Sequence, residues 1–109
     1  MEETENSKIL IKAKIFEILQ NAGTSARIIL FGSRAREDYT KFSDYDILLI
    51  TDRTIEIKEK MNLSKKIREY LAKAGFDVDV IIKSDAEVQF LREKTGSIIK
   101  SALKEGIAL

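Results

Sequence analysis

The sequence predicts an α/β protein in which helices flank a small mixed β-sheet. Three observations lead there. Short apolar, branched runs at residues 26–31, 44–51 and 76–82 alternate with segments of helical periodicity. The link between the first two runs is too short to carry the chain back along a sheet, which makes those strands antiparallel. The link between the second and third is a long helical crossover, the parallel arrangement.

In residues 7–22, Ile9, Ala13, Phe16 and Leu19 recur at helical spacing, with Asn6 or Ser7 as N-cap and Gly23 as the stop. Residues 26–31 are too short and too branched to prefer a helix and are expected as a buried strand. Gly32 ends it, and residues 33–38 suit one or two helical turns. After a polar loop at 40–43, the second strand places Tyr45, Ile47 and Leu49 on one face and Asp46, Leu48 and Ile50 on the other. Asp52 and Arg53 turn the chain into the crossover helix, residues 57–74. Its Lys60, Leu63, Ile67, Tyr70, Leu71 and Ala74 lie on one side, whose apolar residues are expected in the core, its lysines are expected at the surface, and Gly75 terminates it.

Residues 76–82 alternate as a third strand, with Asp77, Asp79 and Ile81 on one side. Ser84-Asp85-Ala86-Glu87 has the form of a capping box and opens a helix to about residue 94, broken by Thr95-Gly96-Ser97. A last helix carries Ile98, Ile99, Ala102 and Leu103 and closes at Gly106, before the apolar end Ile107-Ala108-Leu109.

Composition narrows the chemistry. A chain of 109 residues, 44% hydrophobic, is expected as one domain, 1–109, with one packed core. Without Cys or His it has no thiolate, disulfide or imidazole, so catalysis would fall to carboxylates, hydroxyls, Lys or Arg. The 19 basic and 18 acidic side chains leave a net charge of +1, which argues for neither a nucleic-acid coat nor a membrane surface. The N-terminus lacks a signal-peptide pattern and no apolar run reaches membrane-spanning length, so a cytoplasmic location is expected.

One stretch concentrates the chemistry. Asp44 and Asp46 are two apart at the start of a strand and project the same way, so their carboxylates can close on a hard cation. Gly32 allows a ligand close to the backbone, and Ser33 stands at a helix start, where free N–H groups favour an anion such as phosphate. Arg34 and Arg36 in that first turn oppose the helix dipole, a conflict that a polyphosphate would relieve. A third acid can reach the same edge from the neighbouring strand; Asp77 and Asp79 have equal parity, so alternation does not choose between them. Three acids suit a pair of Mg²⁺ ions about 3.5–4 Å apart, and without a cation their repulsion would raise at least one pKa.

Gly32-Ser33, ten residues, then Asp44-Tyr45-Asp46 resembles the signature of the polymerase β-like nucleotidyltransferase superfamily. GSRAR followed by SDYDILL looks most like its minimal nucleotidyltransferase branch, and the likeness extends through VDVI at Val78 to Ile81 and the terminal KEGIAL. The resemblance implies the nucleotidyltransferase fold, with Gly32 and Ser33 holding ATP and Asp44 and Asp46 binding two Mg²⁺ ions. It favours Asp79 as the third carboxylate, which helps activate the nucleophile. It also implies a small helical HEPN protein as partner in a hetero-oligomer: a toxin to which this chain is antitoxin and onto which some relatives add AMP. Where relatives usually have Gly after the second Arg, this chain has Glu37.

Two functions follow as expectations. One is transfer of AMP from ATP to a protein hydroxyl, because 109 residues leave no second domain to hold another acceptor. The other is a non-catalytic antitoxin that neutralises its partner by complex formation.

Overall fold

A run that is apolar on both faces belongs in the middle of a sheet. The run Tyr45–Thr51 is of that kind, and it lies at the centre. The structure is a computed structural model describing residues 2–109. Its elements are α1 (Glu2–Asn21), β1 (Ala26–Phe31), α2 (Ser33–Arg36), β2 (Tyr45–Thr51), α3 (Ile57–Lys73), β3 (Val78–Ser84), α4 (Asp85–Leu91), α5 (Ile98–Glu105) and β4 (Ile107–Ala108). The strand order is β3-β2-β1-β4. β1 and β2 are antiparallel and β2 and β3 parallel, as the lengths of their connections require.

The two-residue alternation of β2 divides the core. Tyr45, Ile47 and Leu49, with Ile28 and Leu30 of β1, pack against Ile11, Ile15 and Leu19 of α1 and Leu63, Ile67 and Leu71 of α3. On the other face Leu48 and Ile50 join Phe31 in packing against Val88 of α4 and Ile99 and Ala102 of α5. The ends of β2 and β3 nearest α5's C-terminus carry acids instead of apolar side chains.

Several local expectations are corrected. α1 begins at Glu2, so Asn6 and Ser7 lie inside it and do not cap it. Its buried side is Ile11, Ile15 and Leu19, whereas Ile9 and Phe16 are 65% and 45% exposed. Apolar residues surround this helix, so spacing alone could not say which stripe meets the sheet. β3 starts at Val78, two residues later than expected, and α4 stops at Leu91. The apolar tail forms β4, which pairs antiparallel with β1 through Leu30↔Ile107 and Ile29↔Ala108. Two residues are too few to show a strand pattern in sequence.

The capping box is present: Ser84 Oγ accepts from the Glu87 N–H at 3.1 Å, and Glu87 Oε1 accepts from the Ser84 N–H at 2.8 Å. Lys60 does not face solvent freely; its Nζ donates to Glu87 at 2.8 and 2.9 Å and ties α3 to α4. That ammonium, with the Ser84 N–H, holds the Glu87 carboxyl down at about 2. Among the described residues no helix is long and apolar enough to cross a membrane.

Candidate active site

Because β1 runs antiparallel to β2, the end of β1 meets the start of β2, and the parallel β3 brings its own start to the same edge. The register aligns Phe31, Asp46 and Asp79 across three adjacent strands. Asp46 and Asp79 are therefore strand neighbours on the α4/α5 side of the sheet, and Gly32 follows directly after Phe31. Asp44 lies two residues before Asp46, just outside β2 and exposed. Asp77 precedes β3; its carbonyl accepts the Tyr45 N–H at 2.9 Å and so helps start the β2–β3 ladder.

Asp46 is the half-buried member of this group. Burial pushes its carboxyl above the ordinary value; the charges of Asp79 and then Asp44 add to the rise, Arg36 opposes it and Glu105 adds to it. Among the described residues, no three acids are gathered closely enough to enclose a metal ion as the side chains stand. The donors are nevertheless all hard carboxylate oxygens, and the mutual repulsion at Asp46 is of the kind a cation relieves.

Gly32 has φ 74° and ψ −159°, a region essentially restricted to glycine. A Cβ there would overlap Asp46 Oδ2, so the loop backbone lies directly against the carboxylate. Ser33 opens α2 beside it. Since α2 has only four residues, its first and last turns coincide, and Arg34 and Arg36 face no extended dipole of the sort the sequence suggested.

The two arginines have different duties. Arg34 donates from Nε and Nη2 to the Ser43 carbonyl at 3.2 and 3.1 Å, with its guanidinium over the rings of Tyr39 and Tyr45 at 4.2 and 4.4 Å. Tyr45 is on the sheet face opposite Asp46, and from there Arg34 pins the 40–43 loop that leads into Asp44. Arg36 is on the acids' side, donating to Asp38 at 3.1 Å and to both oxygens of Glu105 at 3.2 Å.

Glu37 adopts φ 67° as the C-cap of α2, its N–H donating to Ser33 O. That left-handed conformation accounts for glycine at this position in the resembling pattern. Glu37→Gly is expected to stabilise the protein by about 1 kcal/mol, read as a higher melting temperature; an unchanged or lower one would show that the Glu37 backbone is not strained.

Three contributors had no clear signal in the sequence. Glu105 is at the end of α5 and reaches the loop across the fold. Arg68 and Ser64 of α3 line, with Phe31, Asp46, Asp79 and Ile98, an open cavity of about 310 Å³ beside the acids. Arg68 belonged to a charged helix face, which in sequence is indistinguishable from solvated surface. Glu105 lay within the KEGIAL tail, but only the fold places it against Gly32.

Residues 13–109 match the family described as Polymerase beta, Nucleotidyltransferase. Over 87 residues, covering 80% of each chain, the sequence is 37% identical to a Methanocaldococcus jannaschii protein named "Putative protein adenylyltransferase". A chain in the crystal structure of a toxin-antitoxin with AMP-PNP shares the fold at TM-score 0.60 and 23% identity, over 88% of this chain and 69% of that one. So does a chain in the complex of tri-AMPylated Shewanella oneidensis HEPN toxin with MNT antitoxin, at TM-score 0.54 and 22% identity, over 91% and 68%.

Proposed function

Because this chain belongs to the Polymerase beta nucleotidyltransferase family and is a nucleotidyltransferase, we propose that it transfers AMP from ATP to a hydroxyl of a HEPN-type partner protein. The observation that carries the reading is the alignment of Asp46 with Asp79 across β2 and β3, with the Gly32 backbone packed on the Asp46 carboxylate. The adenylyltransferase name of the relative supports AMP as the group transferred. The nucleotide and the modified HEPN toxin in structures of the same fold support ATP and the partner class.

Gly32, Ser33 and Arg36 seat the triphosphate: Gly32 and Ser33 supply backbone N–H donors, and Arg36 a guanidinium. Arg34 acts indirectly, by holding the 40–43 loop that leads into Asp44. Asp44, Asp46 and Asp79 are the residues that would hold Mg²⁺, which supplies charge neutralisation at the phosphates and acidifies the attacking hydroxyl. In the transfer, the acceptor oxygen bonds to the α-phosphorus as the bond from that phosphorus to the bridging α–β oxygen breaks. Pyrophosphate departs with the electron pair, and the hydroxyl proton passes to Asp79, the exposed acid beside the cavity. Arg68, on the cavity wall, orients the acceptor segment.

The test is incubation with labelled ATP, Mg²⁺ and a HEPN-type protein from the same genome, beside an Asp44→Ala/Asp46→Ala variant. Label on the HEPN protein, lost with the variant, is expected; no label, or undiminished label with the variant, sinks the catalytic reading. A second reading, an antitoxin acting by complex formation alone, draws on Glu37, which places a negative charge at the end of α2 where the resembling pattern has glycine. Under that reading the double variant still protects cells from the toxin.

A further inference from the structure

The donors assigned to the triphosphate already hold an anion. Glu105 Oε1 accepts the Gly32 N–H at 3.1 Å, and Arg36 Nη1 lies 3.2 Å from both Oε1 and Oε2. A carboxylate that takes one backbone N–H and one guanidinium contacts the loop as a phosphate oxygen pair would. The Glu105 side chain is 28% exposed and that of Arg36 46%, so the Gly32 contact is part-buried while the guanidinium contact faces solvent.

The backbone beneath Glu105 is firmly mounted. The Gly106 N–H donates to Ala102 O at 2.8 Å, and a Cβ at Gly106 would overlap that oxygen and Ile29 Cγ2. Beyond it β4 pairs with β1, and the Leu109 N–H donates to Ile28 O at 2.9 Å. The carboxylate can therefore leave the loop by rotating its own side chain, without moving α5 or the tail.

We propose that Glu105 is a built-in phosphate substitute: it occupies the triphosphate seat of the nucleotide-free protein and yields only to a ligand carrying more negative charge. The inference rests on the reading of Gly32 and Arg36 as polyphosphate donors and adds a determinant of specificity to it. In the empty protein Glu105 satisfies the Gly32 N–H and keeps Arg36 turned toward the loop. A triphosphate offers several oxygens to replace the carboxylate. A monophosphate offers one group, which competes poorly, so Glu105 favours ATP over AMP.

The test is calorimetric titration of Mg²⁺·α,β-methylene-ATP and of AMP into the unsubstituted protein, Glu105→Gln and Glu105→Ala, each checked by thermal melting. Both substitutions are expected to tighten binding of the ATP analogue by about three- to tenfold and to narrow its preference over AMP. In ¹⁵N-labelled protein the Gly32 amide resonance should move when the analogue binds, and should already be displaced in nucleotide-free Glu105→Ala. Binding to the unsubstituted protein with an affinity unchanged or weakened in both variants overturns the inference and leaves the nucleotide seat standing. Binding by none of the three proteins removes the seat and the inference together.

Discussion

Asp46→Asn is expected to reduce the proposed AMP transfer by about 10³-fold or more while making the metal-free protein more stable at neutral pH. Both effects come from one carboxylate. Burial, Asp79 and Asp44 raise the folded-state pKa of Asp46 above its ordinary 3.8. The folded protein thus favours the protonated acid, and the stability that proton brings is fully present below the unfolded value. It is lost as pH rises through the folded value. At pH 7 the native protein carries a partly buried charge, repelled by Asp79 and Asp44, that asparagine, of the same shape and uncharged, does not. Thermal scans in EDTA should show the variant melting higher at pH 7, with the gap closing as pH falls toward about 4. Equal melting temperatures at pH 7 would show that neither burial nor the neighbouring acids penalise the Asp46 charge. Retained transfer would remove Asp46 from the chemistry.

Gly32→Ala is expected to destabilise the fold by about 2–4 kcal/mol and to abolish nucleotide binding. The backbone region it occupies costs a non-glycine residue about 1–3 kcal/mol, and the added methyl displaces the Asp46 carboxylate. The two contributions are separable. Asp46→Ala removes the two nearest atoms the methyl meets, the carboxylate oxygen and carbon, but leaves the backbone strain. In the Gly32→Ala background it should therefore recover part of the lost stability, a coupling visible in a double-mutant cycle. Strict additivity of the two substitutions would show that the loop does not lie on the carboxylate.

Much of the architecture was legible because it depends on neighbours in sequence. The bounds of β1, the division of β2 into two faces, the capping box of α4 and the opposite pairing senses of β1 and β3 all follow from period, caps and connection length. The candidate site was legible to the same depth. Gly32 and the Asp44/Asp46 pair are two ends of one short connection, and an antiparallel turn can only bring them together. Alternation left Asp77 and Asp79 equal, the resemblance favoured Asp79, and the β2–β3 register places Asp79 beside Asp46.

What the sequence alone determined, then, is the local grammar: which stretches are strands and helices, and which short link carries glycine, serine and acids. Tertiary structure decided everything that requires one surface to choose another. It selected Ile11 and Ile15 over Ile9 and Phe16 on a helix whose apolar residues are spread around its circumference, and added the tail to the sheet as β4. It turned Arg34 toward Tyr39 and Tyr45 and Arg36 toward the acids. It also set Glu105 on the Gly32 N–H, 73 residues away in the chain. The physical reason is the same in each case. Periodicity and capping are set by bonds and contacts within a few residues, whereas the partner of a charge or an apolar stripe is fixed only when the packed sheet brings distant segments together.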